Sequence, residues 1–290
     1  MHTMRHKFTI GMLVFVLGAA ALAADVRLPN KAIAGQGVAI GTSGSGEATL
    51  YVVGPGTAIK RQIKLGDEVQ LKGEELRNSG YYQIEIKGGD TDVSKDLYVA
   101  PAAAEKINFL ARPSRVPVGQ PKVIAGTAFV FDQYENLVMV PTPVTFELSV
   151  PGAPAKMERF TTKIGVAYLQ TGSGSKAGPG QFTVRVGENS VRRVVEETAS
   201  EPCNLRFKLH KEKDGLIAET DPVRDCSGNA VPDGTIVTFI SAEPGKGRST
   251  VDARVKKGIA RAVLPPVPGA TISVASGVVL GNEVRWGGGE

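Results

Sequence analysis

The sequence is poor in the residue types from which catalytic and metal sites are usually built. It has three histidines in 290 residues, and two of them, His2 and His6, fall in the leader described below. His210 is left, and we interpret it as a surface residue because it lies on the polar side of an alternating segment. A zinc site or a Ser-His-Asp triad needs more than this, so we predict no enzymatic activity, no cofactor and no metal.

Cysteine is also scarce, and Cys203 and Cys226 are the two that the chain contains. An exported chain enters an oxidising compartment, where such a pair is expected to form a disulfide. The bond would close a loop of about 24 residues and stabilise the fold by roughly 3 kcal/mol in the chain-entropy model. We predict a structural disulfide, with two free thiols as the alternative.

Long apolar runs are absent after the first residues of the chain. The stretch from Phe8 to Leu22 follows a basic start and ends at small residues around Ala23, which predicts a cleaved signal peptide over residues 1–24. We expect export to the periplasm, the cell surface or the extracellular medium, with no membrane span after signal cleavage. The net charge of +5 is too small to indicate a nucleic-acid partner.

Helical patterns are nearly missing, whereas turn-forming residues are frequent. The chain has 35 glycines and 18 prolines, spread along its length as expected for many short strands joined by turns. Apolar residues alternate with polar ones, as Leu205, Phe207 and Leu209 do with their neighbours, so one face of each strand is predicted to be buried. The fold class is therefore all-β.

A repeat of 93 residues divides the second part of the chain. Asp132 and Asn136 recur as Asp225 and Asn229, and the Val-Thr-Phe run ending at Phe146 recurs in the same register. A fixed offset of this kind indicates a duplicated module. The N-terminal part carries a weaker version of the pattern. We predict a first module over residues 25–100, a middle module over 101–196 and a last module over 197–290, stacked end to end as a monomer.

The repeated segments carry a family likeness. The runs Val130–Asn136 and Val223–Asn229, each followed by Val-Thr-Phe, resemble the bacterial Ig-like family 1 domains of invasin- and intimin-type surface proteins. The resemblance implies tandem immunoglobulin-like β-sandwiches that act as spacers or adhesive modules. Glu135 stands where that family usually has glycine, and we expect a changed turn there.

The aspartates and asparagines of the repeat lie where one strand turns into the next. We predict that Asp132, Asn136, Asp225 and Asn229 cap β-turns, because these side chains bond to nearby backbone amides. The alternative is calcium at a module junction, with Glu135 or Asp233 adding oxygen ligands.

Glycine-rich and aromatic segments have simpler interpretations. The loops at Gly41–Gly46 and Gly172–Ser175 lack the Gly-Lys-Ser/Thr ending of a phosphate-binding loop, and we predict flexible hairpin tips. Core packing is predicted for Trp286, Tyr81, Tyr82 and Tyr98, with an aromatic platform for a sugar as the alternative.

Two functional hypotheses follow from the sequence. The first is an exported, non-enzymatic Ig-like protein that serves as a structural spacer or adhesion module at the bacterial cell envelope. The second is a periplasmic binding or accessory subunit that recognises a protein partner, through an exposed strand edge, or a surface glycan.

Overall fold

Alternating apolar residues build the strands, as the sequence predicts. In the computed structural model, which describes residues 25–88, 91–213, 215–243 and 245–287, Val144, Phe146 and Leu148 are buried while Thr145 and Glu147 face outward. Within those ranges the regular structure is β-strand apart from one 3-10 helix at Gly73–Leu76. The predicted signal peptide lies outside the described residues.

The first module is a sandwich of two sheets. Its three-stranded sheet has the order β1-β3-β6 and its five-stranded sheet the order β2-β8-β7-β4-β5. The pairing of β2 with β8 is parallel and the other pairings are antiparallel. The strands are β1 Val26–Arg27, β2 Lys31–Ile33, β3 Val38–Thr42, β4 Glu47–Gly54, β5 Thr57–Lys64, β6 Glu68–Leu71, β7 Gly80–Gly88 and β8 Thr91–Ala100.

The middle module repeats this arrangement. Its three-stranded sheet has the order β14-β11-β9, and its five-stranded sheet the order β10-β16-β15-β12-β13. The β10–β16 pairing is again parallel. The strands are β9 Lys106–Arg112, β10 Arg115–Pro117, β11 Ile124–Phe131, β12 Pro143–Ser149, β13 Lys156–Thr161, β14 Val166–Thr171, β15 Gly178–Val186 and β16 Asn189–Thr198.

The last module has one strand fewer in its larger sheet. Its sheets have the orders β18-β19-β23 and β22-β21-β24-β25, and a short ladder joins β17 to β20. The strands are β17 Pro202–Cys203, β18 Phe207–Glu212, β19 Gly215–Thr220, β20 Arg224–Asp225, β21 Ile236–Ala242, β22 Arg248–Arg254, β23 Arg261–Leu264, β24 Thr271–Ser276 and β25 Val279–Arg285.

Separate hydrophobic cores lie between the sheets of the middle and last modules. Phe109, Phe146 and Phe182 pack together in the middle core, and Phe207 packs edge-on against Phe239 in the last one. The all-β prediction with tandem Ig-like sandwiches is confirmed.

The chain divides into two compact units, with the boundary between Ala100 and Pro101. The second unit contains both the middle and the last module, so the boundary near residue 196 stays our proposal. No helix within the described ranges is long and apolar enough to span a bilayer.

Candidate site at the module junction

Asp132 organises a tight turn at the end of β11. Its Oδ1 accepts hydrogen bonds from the backbone amides of Tyr134 and Asn136, both at 2.9 Å. Its Oδ2 accepts from the side-chain amide of Asn136 at 2.9 Å and from the backbone amide of Ala102 at 2.8 Å. The carboxylate therefore caps its own turn and also holds the chain segment that enters the module.

Asp225 makes the same set of bonds in the last module. Its Oδ1 accepts from the amides of Ser227 and Asn229 at 2.9 and 2.8 Å. Its Oδ2 accepts from the Asn229 side chain at 2.9 Å and from the amide of Ser200 at 3.1 Å. The contact with the incoming segment was not predicted, because Ser200 lies 25 residues earlier in the chain.

The two turns have the same backbone conformation although one lacks glycine. Glu135 has φ 70° and Gly228 has φ 84°, so both occupy the left-handed region that favours glycine. The expectation of a changed turn at Glu135 is therefore wrong. The four bonds to Asp132 hold the shape of the turn in spite of the less favourable residue.

Hydrogen bonding also affects the acidity of Asp225. Burial of this carboxyl raises its pKa, but the bonds from Asn229, Ser200 and Ser227 to the charged form together outweigh burial. The net effect lowers the pKa below its ordinary value. Asp225 is therefore a carboxylate at neutral pH and a strong acceptor for the linker amide.

The side chain of Asn229 forms hydrogen bonds with the middle module. Its Oδ1 accepts a hydrogen bond from the amide of Ala177 at 2.9 Å, and its Nδ2 donates to the carbonyl of Ser175 at 2.8 Å. Both partners belong to the loop between β14 and β15. One asparagine thus caps its own turn and bonds to the preceding module.

Strand β16 of the middle module runs past the predicted boundary at residue 196 to Thr198, and it fixes the same loop from its own side. Both carboxylate oxygens of Glu197 accept from the amide of Gly174, at 3.0 and 2.9 Å. Ser173 donates to the carbonyl of Pro117 at 2.7 Å. Burial raises the pKa of Glu197, and the Gly174 bond only partly counteracts it.

The structure of this loop contradicts the prediction made from its glycines. Residues 172–175 do not form a flexible hairpin tip, because they join strands of different sheets and are bonded from two modules. The Gly41–Gly46 segment also joins strands of two sheets. Neither segment is a hairpin.

A disulfide joins the linker to the Asp225 turn. Cys203 and Cys226 are bonded, with their Cα atoms 4.9 Å apart. Cys203 lies on β17, which pairs with β20 immediately before Cys226. The bond therefore holds the start of the last module against the turn that contacts Ser200.

A cleft of about 260 Å³ opens at the same junction. Polar and apolar side chains both line it, whereas pockets that bind small molecules are predominantly apolar. Its lining comes from both modules and from the segment between them: Pro117, Gln120, Ala199, Ser200, Glu201, Pro202, Val231, Pro232 and Thr235.

Solved structures of bacterial adhesins share this architecture. FdeC, an Escherichia coli adhesin, matches 93% of the chain and 99% of its own length, with 16% identity and a TM-score of 0.61. InvD of Yersinia pseudotuberculosis matches 92% and 98%, with 11% identity and a TM-score of 0.54. Invasin, described as a bacterial integrin-binding protein, matches 89% of the chain over 58% of its own length, at 12% identity and a TM-score of 0.51.

The chain has the tandem Ig-like fold of bacterial adhesins. The resemblance noted in the repeated segments is thereby confirmed for the fold. No family model matches the sequence, and no curated protein matches it.

At the alternative calcium sites, the carboxylates of this Ig-like chain already accept hydrogen bonds or pair with a cation. Each carboxylate oxygen of Asp132 accepts two N–H groups, and in Asp225 Oδ1 accepts three and Oδ2 two. Glu135 lies 3.3 Å from the ammonium group of Lys106, and Asp233 accepts the amide of Lys257 at 2.8 Å. Within the described ranges, no group of three metal-binding side chains occurs.

Tyrosines of the first module differ in their surroundings. Tyr82 is fully buried, and its hydroxyl donates to the carbonyl of Asn78 at 3.0 Å. Tyr81 is 72% exposed and lies 5.1 Å from the ring of Tyr98. The prediction of core packing is therefore wrong for Tyr81. Trp286 is half-buried and packs against the core of the last module.

His210 lies where the alternation places it. It is half-exposed on β18, and its Nε2 is 3.1 Å from the Glu212 carboxylate. Arg261 also bonds to that carboxylate. The imidazole is thus part of a polar surface cluster with Glu212 and Arg261.

Proposed function

We propose that the chain is an exported, non-enzymatic Ig-like protein whose second unit is a stiff spacer in an adhesion or interaction module at the bacterial cell envelope. The observation that carries the proposal is the pair of bonds from Asn229 to Ser175 and Ala177. A linker that merely connected two domains would need no such bonds, and bending at the junction would be expected.

Several constraints act on this junction together. The Asn229 bonds fix the loop, the Asp225–Ser200 bond fixes the linker, and the disulfide fixes the strand that follows. Each neutral hydrogen bond contributes about 0.5–1.5 kcal/mol net. Bending would break several of them at once, so we expect one preferred angle between the modules.

The partners of the histidine and of the buried carboxylates support the non-enzymatic part of the proposal. His210 is engaged with Glu212 on an exposed face. The buried carboxylates Asp225, Asp132 and Glu197 accept backbone amides instead of facing a pocket. These roles are structural, and a general acid or base would need to face a substrate.

Rotational diffusion measured by ¹⁵N NMR relaxation on the chain from Asp25 tests the spacer proposal. We expect one correlation time for the middle and last modules, and two shorter ones in Asn229→Ala. Asn189→Ala, an exposed asparagine in the β15–β16 hairpin, is the matched control and should behave as wild type. Independent tumbling of the two modules in the wild type would contradict the proposal.

The exposed ring of Tyr81, which packs on Tyr98, favours a second candidate, a periplasmic binding or accessory subunit that recognises a protein or saccharide. Exposed aromatic rings often serve as anchors in binding sites. The immobilised chain should then retain one component of envelope extract reproducibly, and Tyr81→Ala should abolish retention. A spacer retains none, so the same experiment separates the two candidates.

A further inference from the structure

The five-stranded sheet of the first module carries tyrosines on its outward face. Tyr82 points into the core, so its neighbour Tyr81 points outward by strand alternation. Register places Tyr98 of β8 beside Tyr81. Tyr51 lies on the same face, because it pairs with Glu85, four residues along β7 from Tyr81. Three of the six tyrosines of the chain therefore share one solvent-facing surface.

An exposed valine connects the two ends of this surface. The rings of Tyr81 and Tyr98, with centroids 5.1 Å apart, form one end. Val53, two residues after Tyr51 on β4, is 56% exposed on the same face. The four residues of β7 between the ends span about 13 Å at the usual strand rise. We call this surface the tyrosine track, and it consists of Tyr51, Val53, Tyr81 and Tyr98.

The fold does not require aromatic rings at these positions, as the middle module shows. Register aligns Tyr98 with Glu196, since each pairs with the first residue of the short parallel strand. On the next strand, Tyr81 aligns with Pro179, and Tyr51 aligns with an acidic residue of β12. The same sheet thus forms in the middle module without the track, which indicates a role other than folding.

Polar side chains that can bond to hydroxyl groups border the track. The side-chain amide of Gln83 donates to Glu85 at 3.0 Å and to Ser94 at 3.2 Å. Asp96 is exposed and pairs with Gln83 across the sheet. Carboxylate, carboxamide and hydroxyl oxygens all accept hydrogen bonds. Rings and acceptors side by side match a sugar, whose C–H groups stack on rings and whose hydroxyls donate.

The outward charges of this sheet balance, which favours an uncharged ligand. Lys87 pairs with Glu85 at 3.0 Å, and the ammonium group of Lys60 lies 5.7 Å from the centroid of the Tyr51 ring. The charged residues that point outward are Glu47, Glu85, Asp92 and Asp96 against Lys31, Lys60, Lys64 and Lys87. The core of a protein interface is depleted in charged residues. A saccharide can bond to these groups in place of water, so it fits the face better than a protein does.

We propose that the tyrosine track binds a neutral polysaccharide of extended, β-1,4-linked sugar residues. A β-1,4 linkage keeps such a chain straight and exposes the flat faces of its rings, which suits a straight track on an open sheet. The rings stack on Tyr81 and Tyr51, while hydroxyl groups bond to Gln83 and Asp96. The proposal rests on the second candidate function, the binding subunit, and is independent of stiffness in the second unit.

Isothermal titration calorimetry of the chain from Asp25 tests the proposal. The probes are cellopentaose and N-acetylated chitopentaose, both neutral and β-1,4-linked, and α-linked maltopentaose is the control. We expect at least one of the β-linked probes to bind and maltopentaose not to bind. Tyr81→Val keeps a residue that favours strands but removes the ring, and should weaken binding roughly threefold to tenfold. Tyr81→Phe keeps the ring and should bind as wild type.

Two further variants separate sugar binding from loss of folding. Asp96→Ala leaves all three tyrosines in place and should also weaken binding, because it removes an acceptor. Tyr168→Val, at a tyrosine that is 53% exposed in the middle module, is the matched control and should leave binding unchanged.

Three results would overturn the proposal: no binding of either β-linked probe, equal binding of maltopentaose, or wild-type affinity in Tyr81→Val. If neither probe binds while Tyr81 still decides the retention of a protein from envelope extract, the binding-subunit candidate stands and the saccharide proposal fails.

Discussion

Asp225→Ala removes the acceptor at the centre of the last turn. The carboxylate receives three backbone amides and one side-chain amide, and Asp225 is 4% exposed. Leaving a buried donor without a partner costs about 1–3 kcal/mol, more beside a charge. Because water can reach part of the turn in the variant, we expect a total loss of about 3–5 kcal/mol from the free energy of unfolding.

The single tryptophan lies in the same module as Asp225, so the loss of stability can be measured for that module. Trp286 packs on the last core, so its fluorescence during urea unfolding reports residues 197–290. A loss of this size lowers the midpoint of thermal unfolding by roughly 12–40 °C for a domain of this length. Asp221→Ala, which breaks an exposed pair with Lys208, is the control and should cost under about 1 kcal/mol.

The pH dependence gives a second test of the same carboxylate. The pKa of Asp225 is lowered in the folded state. The carboxylate therefore contributes to stability at pH values above its ordinary pKa near 3.8, and this contribution is lost as the pH falls below that pKa. Asp225→Asn should flatten that acid limb. A variant as stable as Asp221→Ala, or an unchanged acid limb, would refute the reasoning.

Three other predictions concern neighbouring features. Reduction of Cys203–Cys226 should lower the stability of the last module by roughly 3 kcal/mol and leave the middle module unchanged; equal tryptophan unfolding curves with and without reductant would contradict this. Because the pKa of Glu197 is raised, wild-type stability should fall as pH rises from its ordinary value near 4.5 through the raised one; Glu197→Gln should remove that loss, and parallel pH profiles would argue against it. Gly228→Ala forces a side chain to φ 84° and should cost about 1–2 kcal/mol, whereas Gly247→Ala, with open space and no positive φ, should cost less in calorimetry; equal costs would exclude backbone strain.

Local patterns predicted the strands well, and the turns only in part. The alternation around Phe207 and the 93-residue repeat depend on neighbours in sequence, and the structure shows the strands there. The pairing of Asp225 with Asn229 is also local, since the two residues share one turn. The changed turn expected from the absence of glycine at Glu135 is wrong, because four hydrogen bonds to Asp132 outweigh the modest cost of a positive φ at a non-glycine residue.

Contacts between distant segments could not be predicted from the residues. Ser175 and Asn229 lie 54 positions apart, and nothing in a Gly-Ser loop indicates which module will bond to it. The missing strand of the last module did leave a signal, since the pairing of Phe109 with Ala128 and of Phe207 with Thr220 places Lys211 where the middle module has Pro113. That signal is readable only once the strand register shows which residues correspond.

Stiffness at the junction between the middle and last modules is the central claim, and a distance distribution measures it most directly. Spin labels on the exposed residues Arg193 and Lys211, one in each module, would be examined by double electron–electron resonance on the chain from Asp25. The account predicts one narrow distance peak that broadens in Asn229→Ala. A broad distribution in the wild type would contradict it.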